Sequence, residues 1–201
     1  MITLTKLVKL ASIALLACGA TELDTHAGER VEVEHVYVSA GLTPAQLGGL
    51  HAAIREWNTA IGTSHRFVLH DKPEAPRDQA VYVRAEPGLP CDGNGGCVLA
   101  RAELCGYQVQ FHPTRVDATN AKEVFMHELG HILCMGHISD IESALMHPTE
   151  NPSNNPCVDN ATLFYLAVVR QDLDFAGWKP TCRASAQSVS PVPASISPAL
   201  F

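Results

Sequence analysis

The sequence predicts a single α+β domain, and three observations lead to it. Its 201 residues are 46 % hydrophobic and 17 % charged, which supports one packed core and leaves little room for a second. A Val-rich segment near the start alternates with period two, whereas later segments carry apolar residues at helical spacing. Short β-branched and aromatic runs lie between those helices, and no internal repeat or linker divides the chain before its tail.

Residues 31–38, VEVEHVYV, read as the first strand. Thr43-Pro44-Ala45-Gln46 then supplies an N-cap, a proline for the first helical position and a capping-box glutamine. Leu47, Leu50, Ile54, Trp57 and Ile61 follow on one helical face, and Gly62 can stop the helix by taking a left-handed conformation. Short strands fit Arg66–Leu69, Gln79–Arg84, Val98–Leu104 and Tyr107–Phe111. A second helix is predicted from about Thr119 to Cys134. A third runs from about Asn160 to Leu173, where Leu163, Leu166, Val169 and Leu173 repeat helically.

The formal net charge is −7 with ten histidines counted as neutral, and no run of Lys or Arg occurs. Without a basic patch there is no electrostatic footprint for nucleic acid, so that class of partner is excluded. Residues 1–17 carry Lys6 and Lys9 before an apolar stretch too short to span a bilayer, the pattern of an export signal. Its end, Leu15-Leu16-Ala17-Cys18-Gly19, resembles the bacterial lipobox. That resemblance implies a lipidated Cys18 at the mature N-terminus and anchoring to a bacterial membrane or cell surface; ordinary cleavage after Ala20 is the alternative. Residues 184–201 are rich in Ser, Pro and Ala and read as a flexible tail, leaving 29–183 as the folded domain.

Beyond Cys18 six cysteines remain, and an even count in an exported chain reads as three disulfides. Fifteen pairings are open. The glycine-rich stretch between Cys91 and Cys97 makes that loop easy to close, and Cys157 and Cys182 flank the third helix. These two pairs would leave Cys105 for Cys134. Asp92, in the glycine-rich loop, could offer a carboxylate to Ca²⁺, against the plainer reading of a turn clipped by Cys91 and Cys97.

The chemistry concentrates in His127-Glu128-Leu129-Gly130-His131. Residues four apart on a helix differ by about 40° around its axis, so both imidazoles project from one side and can take two corners of a zinc site. Glu128 sits where its carboxylate can reach a water on the metal. His137 lies about 600° beyond His131 and cannot reach the same face unless the helix ends, so the chain must turn before it. Gly136 supplies conformational freedom at that point.

His127 to Pro148, HELGHILCMGHISDIESALMHP, resembles the metzincin clan of zinc endopeptidases and, within it, the matrixins. Val98-Leu99-Ala100-Arg101-Ala102, after the glycine-rich loop, is similar to the matrixin edge strand. The resemblance implies a zincin domain: a twisted, mostly parallel sheet with an antiparallel edge strand, an active-site helix and a C-terminal helix. It implies that His127, His131 and His137 bind one catalytic zinc and that Met146 forms an apolar floor beneath it. It also implies peptide-bond hydrolysis by attack of a zinc-bound water, with Glu128 as general base and an extended peptide or protein as substrate. An inactive peptidase-fold lipoprotein that binds peptides is the alternative, against which the intact Glu128 speaks.

The chain departs from the matrixin pattern in four places. Cys134 stands where the family has glycine, so either the turn shifts to Gly136 or a disulfide holds it. Arg101 replaces a histidine of the family's structural zinc, which implies that this second zinc is absent. Ile138 follows the third histidine in place of serine, and no cysteine-switch propeptide fits between Cys18 and the first strand. His35, His51, His65, His70 and His112 read as structural or solvated, and His147 as a surface or subsite residue. Asp140 reads as a brace for the loop after His137.

Overall fold

A computed structural model describes residues 32–62, 65–73, 80–91, 96–141, 144–148 and 156–182. The export segment, Cys18, Asp92 and the tail lie outside these residues. Helix α1 spans Pro44–Ala60 and begins as its sequence dictates. The Thr43 hydroxyl accepts from the Gln46 amide at 3.2 Å, and the Gln46 side chain accepts from the Thr43 amide at 2.8 Å. Gly62, at φ +65°, terminates the helix in the left-handed region that glycine enters without steric cost.

Five strands, β1 (Glu32–Val38), β2 (His65–Pro73), β3 (Val81–Ala85), β4 (Ala100–Ala102) and β5 (Gln108–Phe111), form one sheet in the order β2-β1-β3-β5-β4. The first three pairings across that order are parallel, and β4 runs antiparallel to β5 at the edge. This is the mostly parallel sheet with an antiparallel edge that was expected. Strand β2 is longer than expected because it follows β1 to Pro73 across a register shift. Strand β4 is shorter. At one end the Val98 amide bonds to Pro90 rather than to β5, and at the other Cys105 turns out of the strand at φ +55°.

Alternate strand residues Val36, Val38, Phe67, Val81, Val83, Val109 and Phe111 are buried in one cluster with α1 and with helix α2 (Ala121–Ile132). The two helices approach closely: a Cβ on Gly49 of α1 would stand 2.4 Å from the Ala121 Cβ, so only glycine permits this crossing. The Trp57 indole, fully buried, donates to the Met126 carbonyl of α2 at 2.9 Å. Gln46, also buried, donates to the carbonyls of Pro113 and Val116 in the segment leading into α2. The orientation of α2 is therefore set from two points on α1.

Helix α3 spans Asn160–Val169 and ends earlier than its apolar repeat suggested. Arg170 leaves helical geometry and forks onto Asp172, while its other contact is Glu32 of β1. Leu173 stays buried outside the helix, which explains why it kept the rhythm. Three disulfides close Cys91–Cys97, Cys105–Cys134 and Cys157–Cys182.

Candidate metal centre and cleft

Val124, Phe125, Met126, Leu129 and Ile132 turn one side of α2 into the core. The other side presents His127 and His131. Past Ile132 the helix closes with the Cys134 amide bonded to the His131 carbonyl and the Met135 amide bonded to the Gly130 carbonyl. That pair of bonds is a Schellman cap with Cys134 at its left-handed position, φ +71°. Gly136 does not have a positive φ, so of the two alternatives the turn stays at Cys134, which is disulfide-bonded to Cys105, and does not shift to Gly136. What Gly136 supplies is room, since a Cβ there would press on the Tyr165 hydroxyl at 3.3 Å.

The turn delivers His137 to the two helical histidines. The three ring centroids lie 4.8 to 5.2 Å apart, and one ligand atom from each falls within 4.8 Å of the others. Two of the rings are held from behind. His127 Nδ1 bonds the Leu145 carbonyl at 2.9 Å, and His131 Nδ1 bonds the Met135 carbonyl at 2.7 Å. With a carbonyl as partner each Nδ1 carries the proton, and each Nε2 presents a lone pair. The two Nε2 atoms lie 3.2 Å apart, close to the roughly 3.3 Å separating two nitrogens at tetrahedral corners around zinc. Burial lowers the His127 pKa to about 4 and lowers that of His131, so both rings are neutral, as ligands must be.

Glu128 lies beside this triad and is 6 % exposed. Desolvation pushes its pKa up to about 8, opposed by a hydrogen bond from the Ala102 amide of β4. Its Oε2 is buried with no partner. Buried oxygens are nearly always hydrogen-bonded, so an orphan beside three converging imidazoles marks a place where another group belongs. The donor set and this orphan both fit a bound zinc with a water.

Met146 is fully buried against Gly130 of α2. A Cβ on Gly130 would fall 2.3 Å from its sulfur, so the glycine between the two helical histidines makes space for it. The Met146 carbonyl accepts from the Ile138 amide at 2.9 Å, which pins the residue after His137. Asp140, expected to brace this loop, is exposed and makes no hydrogen bond among the described residues; Met146 does that work.

Asp159 was missed at the sequence level. Its carboxylate caps α3 through the Thr162 amide at 2.8 Å and also accepts the Leu145 amide at 3.0 Å. Leu145 in turn holds His127, so Asp159 positions the first histidine through one intermediate. Asp directly before a helix start was a readable N-cap signal. Arg101 donates to Gln110 at 2.6 Å on the sheet, away from any second histidine set among the described residues.

A cleft of about 1120 Å³ runs past the triad, lined on one side by Val98–Ala102 and on the other by Val124, His127, Glu128 and Leu145. Leu99 and Glu103 pair with β5 through the bonds to His112 and Gln108. By strand alternation Ala100 and Ala102 direct their backbone groups away from the sheet, and the Ala102 amide already reaches Glu128. The edge of β4 is therefore open toward the cleft.

No protein-family profile and no curated protein matches this sequence. Among solved structures it is similar to archaemetzincin from Methanopyrus kandleri, with a TM-score of 0.49 and 11 % identity over 72 % of this chain and 97 % of that one. It is also similar to a hatching-enzyme zinc-protease of Oryzias latipes, with a TM-score of 0.45 and 15 % identity over 69 % and 89 %. A zinc-dependent peptidase from Methanocorpusculum labreanum gives 0.44 and 13 % over 67 % and 99 %. None of the three reaches a TM-score of one half, and the reading of the site rests on its own residues.

Proposed function

We propose that this protein is a zinc endopeptidase of the metzincin type, nearest to the matrixins. One observation carries the reading: three imidazoles converge beside a buried carboxylate with an unpartnered oxygen, on a cleft bordered by an open strand edge. His127, His131 and His137 would hold the zinc, and Met146 would floor it. Zinc in such a three-histidine site supplies a Lewis acid and lowers the pKa of a water.

The chain's own residues supply the rest. Glu128 acts in its ionised form, which a dication held by the three histidines would favour against the desolvation that raises its pKa. Its Oε2 takes a proton from the attacking water and returns it to the departing amine, while the Ala102 amide fixes the other end of the carboxylate. An extended substrate adds to the free edge of β4 by backbone pairing, which places its carbonyl between that edge and the triad. Within residues 29–183 these parts make the catalytic domain. Cys18 of the export segment is its lipid anchor at a bacterial membrane or cell surface, an assignment that mass spectrometry of the mature N-terminus checks.

Elemental analysis tests the metal. Purified protein is expected to carry about one zinc per chain, lost in His127→Ala and His131→Ala, and to cleave casein in a chelator-sensitive manner. Zinc-free active protein, or zinc retained by both variants together, would overturn the reading. Zinc binding with no cleavage of any peptide library would leave a peptide-binding module in its place.

A further inference from the structure

Two non-glycine residues among those described have positive φ, and they are disulfide partners: Cys105 at +55° and Cys134 at +71°. Both amides donate to one acceptor, the His131 carbonyl, each at 2.9 Å. The disulfide thus joins the loop after the edge strand to the cap of α2, and both ends are referred to His131, one of the three converging histidines. Directly after Cys134, the Met135 carbonyl orients the His131 ring, and His137 follows two residues later. Cys105 is exposed and Cys134 is half-buried, so the bond can be reached from solvent.

A left-handed conformation is unfavourable for any residue with a Cβ, and glycine is the usual occupant of this cap position. Here a covalent tie stands in for glycine. We propose that the Cys105–Cys134 disulfide is a redox-sensitive latch on the metal centre: closed, it holds the turn that delivers His137; reduced, it lets Cys134 relax and the third ligand withdraw. This rests on the zinc reading above.

Opening needs a dithiol. One thiolate of the dithiol attacks the exposed Cys105 sulfur and displaces the Cys134 thiolate. The dithiol's second thiolate then attacks the mixed disulfide and releases Cys105. Two electrons and two protons pass to the protein, and the dithiol leaves as its own disulfide. The reverse exchange, with an oxidised dithiol, recloses the latch.

The test follows zinc release to a chromogenic chelator from zinc-loaded full-length protein, with folding monitored by circular dichroism. The variant Cys105→Ser/Cys134→Ser opens this bond alone and leaves the other two disulfides intact. It is expected to lose zinc about 5- to 30-fold faster than the parent, the factor corresponding to a single left-handed residue's penalty. A second variant, Cys105→Ser/Cys134→Gly, adopts the same backbone without a bond and is expected to release zinc at the parental rate, with or without dithiol. Equal rates in the Ser/Ser variant and the parent would overturn the latch. A Gly variant as leaky as the Ser/Ser variant would overturn relaxation of the left-handed Cys134 as the way the latch opens, since the cross-link itself rather than the turn would then hold the zinc. If the oxidised parent itself binds no zinc, it is the zinc reading that fails.

Discussion

Helices α1 and α2 cross at Gly49 and Ala121, share one core and use their polar residues in opposite ways. On α1, Gln46, Trp57 and Asn58 are each bonded to backbone: Gln46 to Pro113 and Val116, Trp57 to Met126, and Asn58 to both the amide and the carbonyl of Phe67. On α2 the side chains of His127, Glu128 and His131 are steadied from behind and left open in front. His127 and His131 are bonded only through Nδ1 to carbonyls, with their Nε2 atoms facing each other, and Glu128 keeps one buried oxygen without a partner. A polar group satisfied on every side specifies structure, whereas one braced on a single side is available for chemistry.

The sharpest break of that comparison is Glu128→Gln. If the carboxylate is free for proton transfer, the variant should keep its zinc and its fold and lose about 10²- to 10⁴-fold in kcat/KM for a quenched peptide. Stripped of metal, it should unfold at no lower temperature than the parent, because the substitution removes an ionisable group whose buried oxygen has no partner. Near-parental turnover would mean that the open oxygen has no catalytic use.

Trp57→Phe makes the complementary break on α1. The indole N–H to Met126 is lost along with part of a fully buried ring, which should cost about 1–3 kcal/mol in chemical denaturation. Turnover per zinc-loaded folded molecule should stay close to parental. A selective fall in kcat with unchanged stability would place Trp57 on the chemical side of the comparison.

The difference between the two helices also accounts for what the sequence made legible. The start of α1 was readable because its cap, proline and stripe are local, and each acts within a few residues. The two helical histidines were readable for the same reason, since spacing alone puts His127 and His131 on one side, whereas His137 was named only through the resemblance of the segment to the metzincins. The turn was harder. The residues left two alternatives, a turn shifted to Gly136 or a disulfide holding Cys134, and the structure takes the second. Its partner Cys105, 29 residues away, has no local signature and came only by elimination of the two local pairs. Asp159 escaped because its second bond, to Leu145, is tertiary, and Asp140 attracted notice only by standing near His137. The length of β4 depended on where Val98 and Cys105 find their partners, which no strand propensity encodes.

The smallest expected effect probes an exception. His65 on β2 is fully buried, its Nδ1 lies 3.2 Å from Glu32, and its Nε2 has no partner, yet it stands outside the cleft lining. If an orphan atom always meant chemistry, His65 would belong to the site. Its pKa argues for a structural cost instead. Desolvation lowers it, against the raising influence of Glu32 and Asp172 and with Arg170 lowering it further. A histidine whose folded pKa lies below its unfolded value of about 6.5 takes up protons more readily when the chain unfolds. Its neutral form supports folding fully above that value, and the support is lost as the pH falls through it toward the folded pKa. Between pH 7.5 and 5.5 the melting temperature of the zinc-loaded parent should therefore decline. In His65→Leu the decline should be shallower, with kcat/KM unchanged at pH 7.5. Equal slopes in the two proteins would show that burial of His65 carries no proton linkage, and a loss of activity would bring this exception into the site.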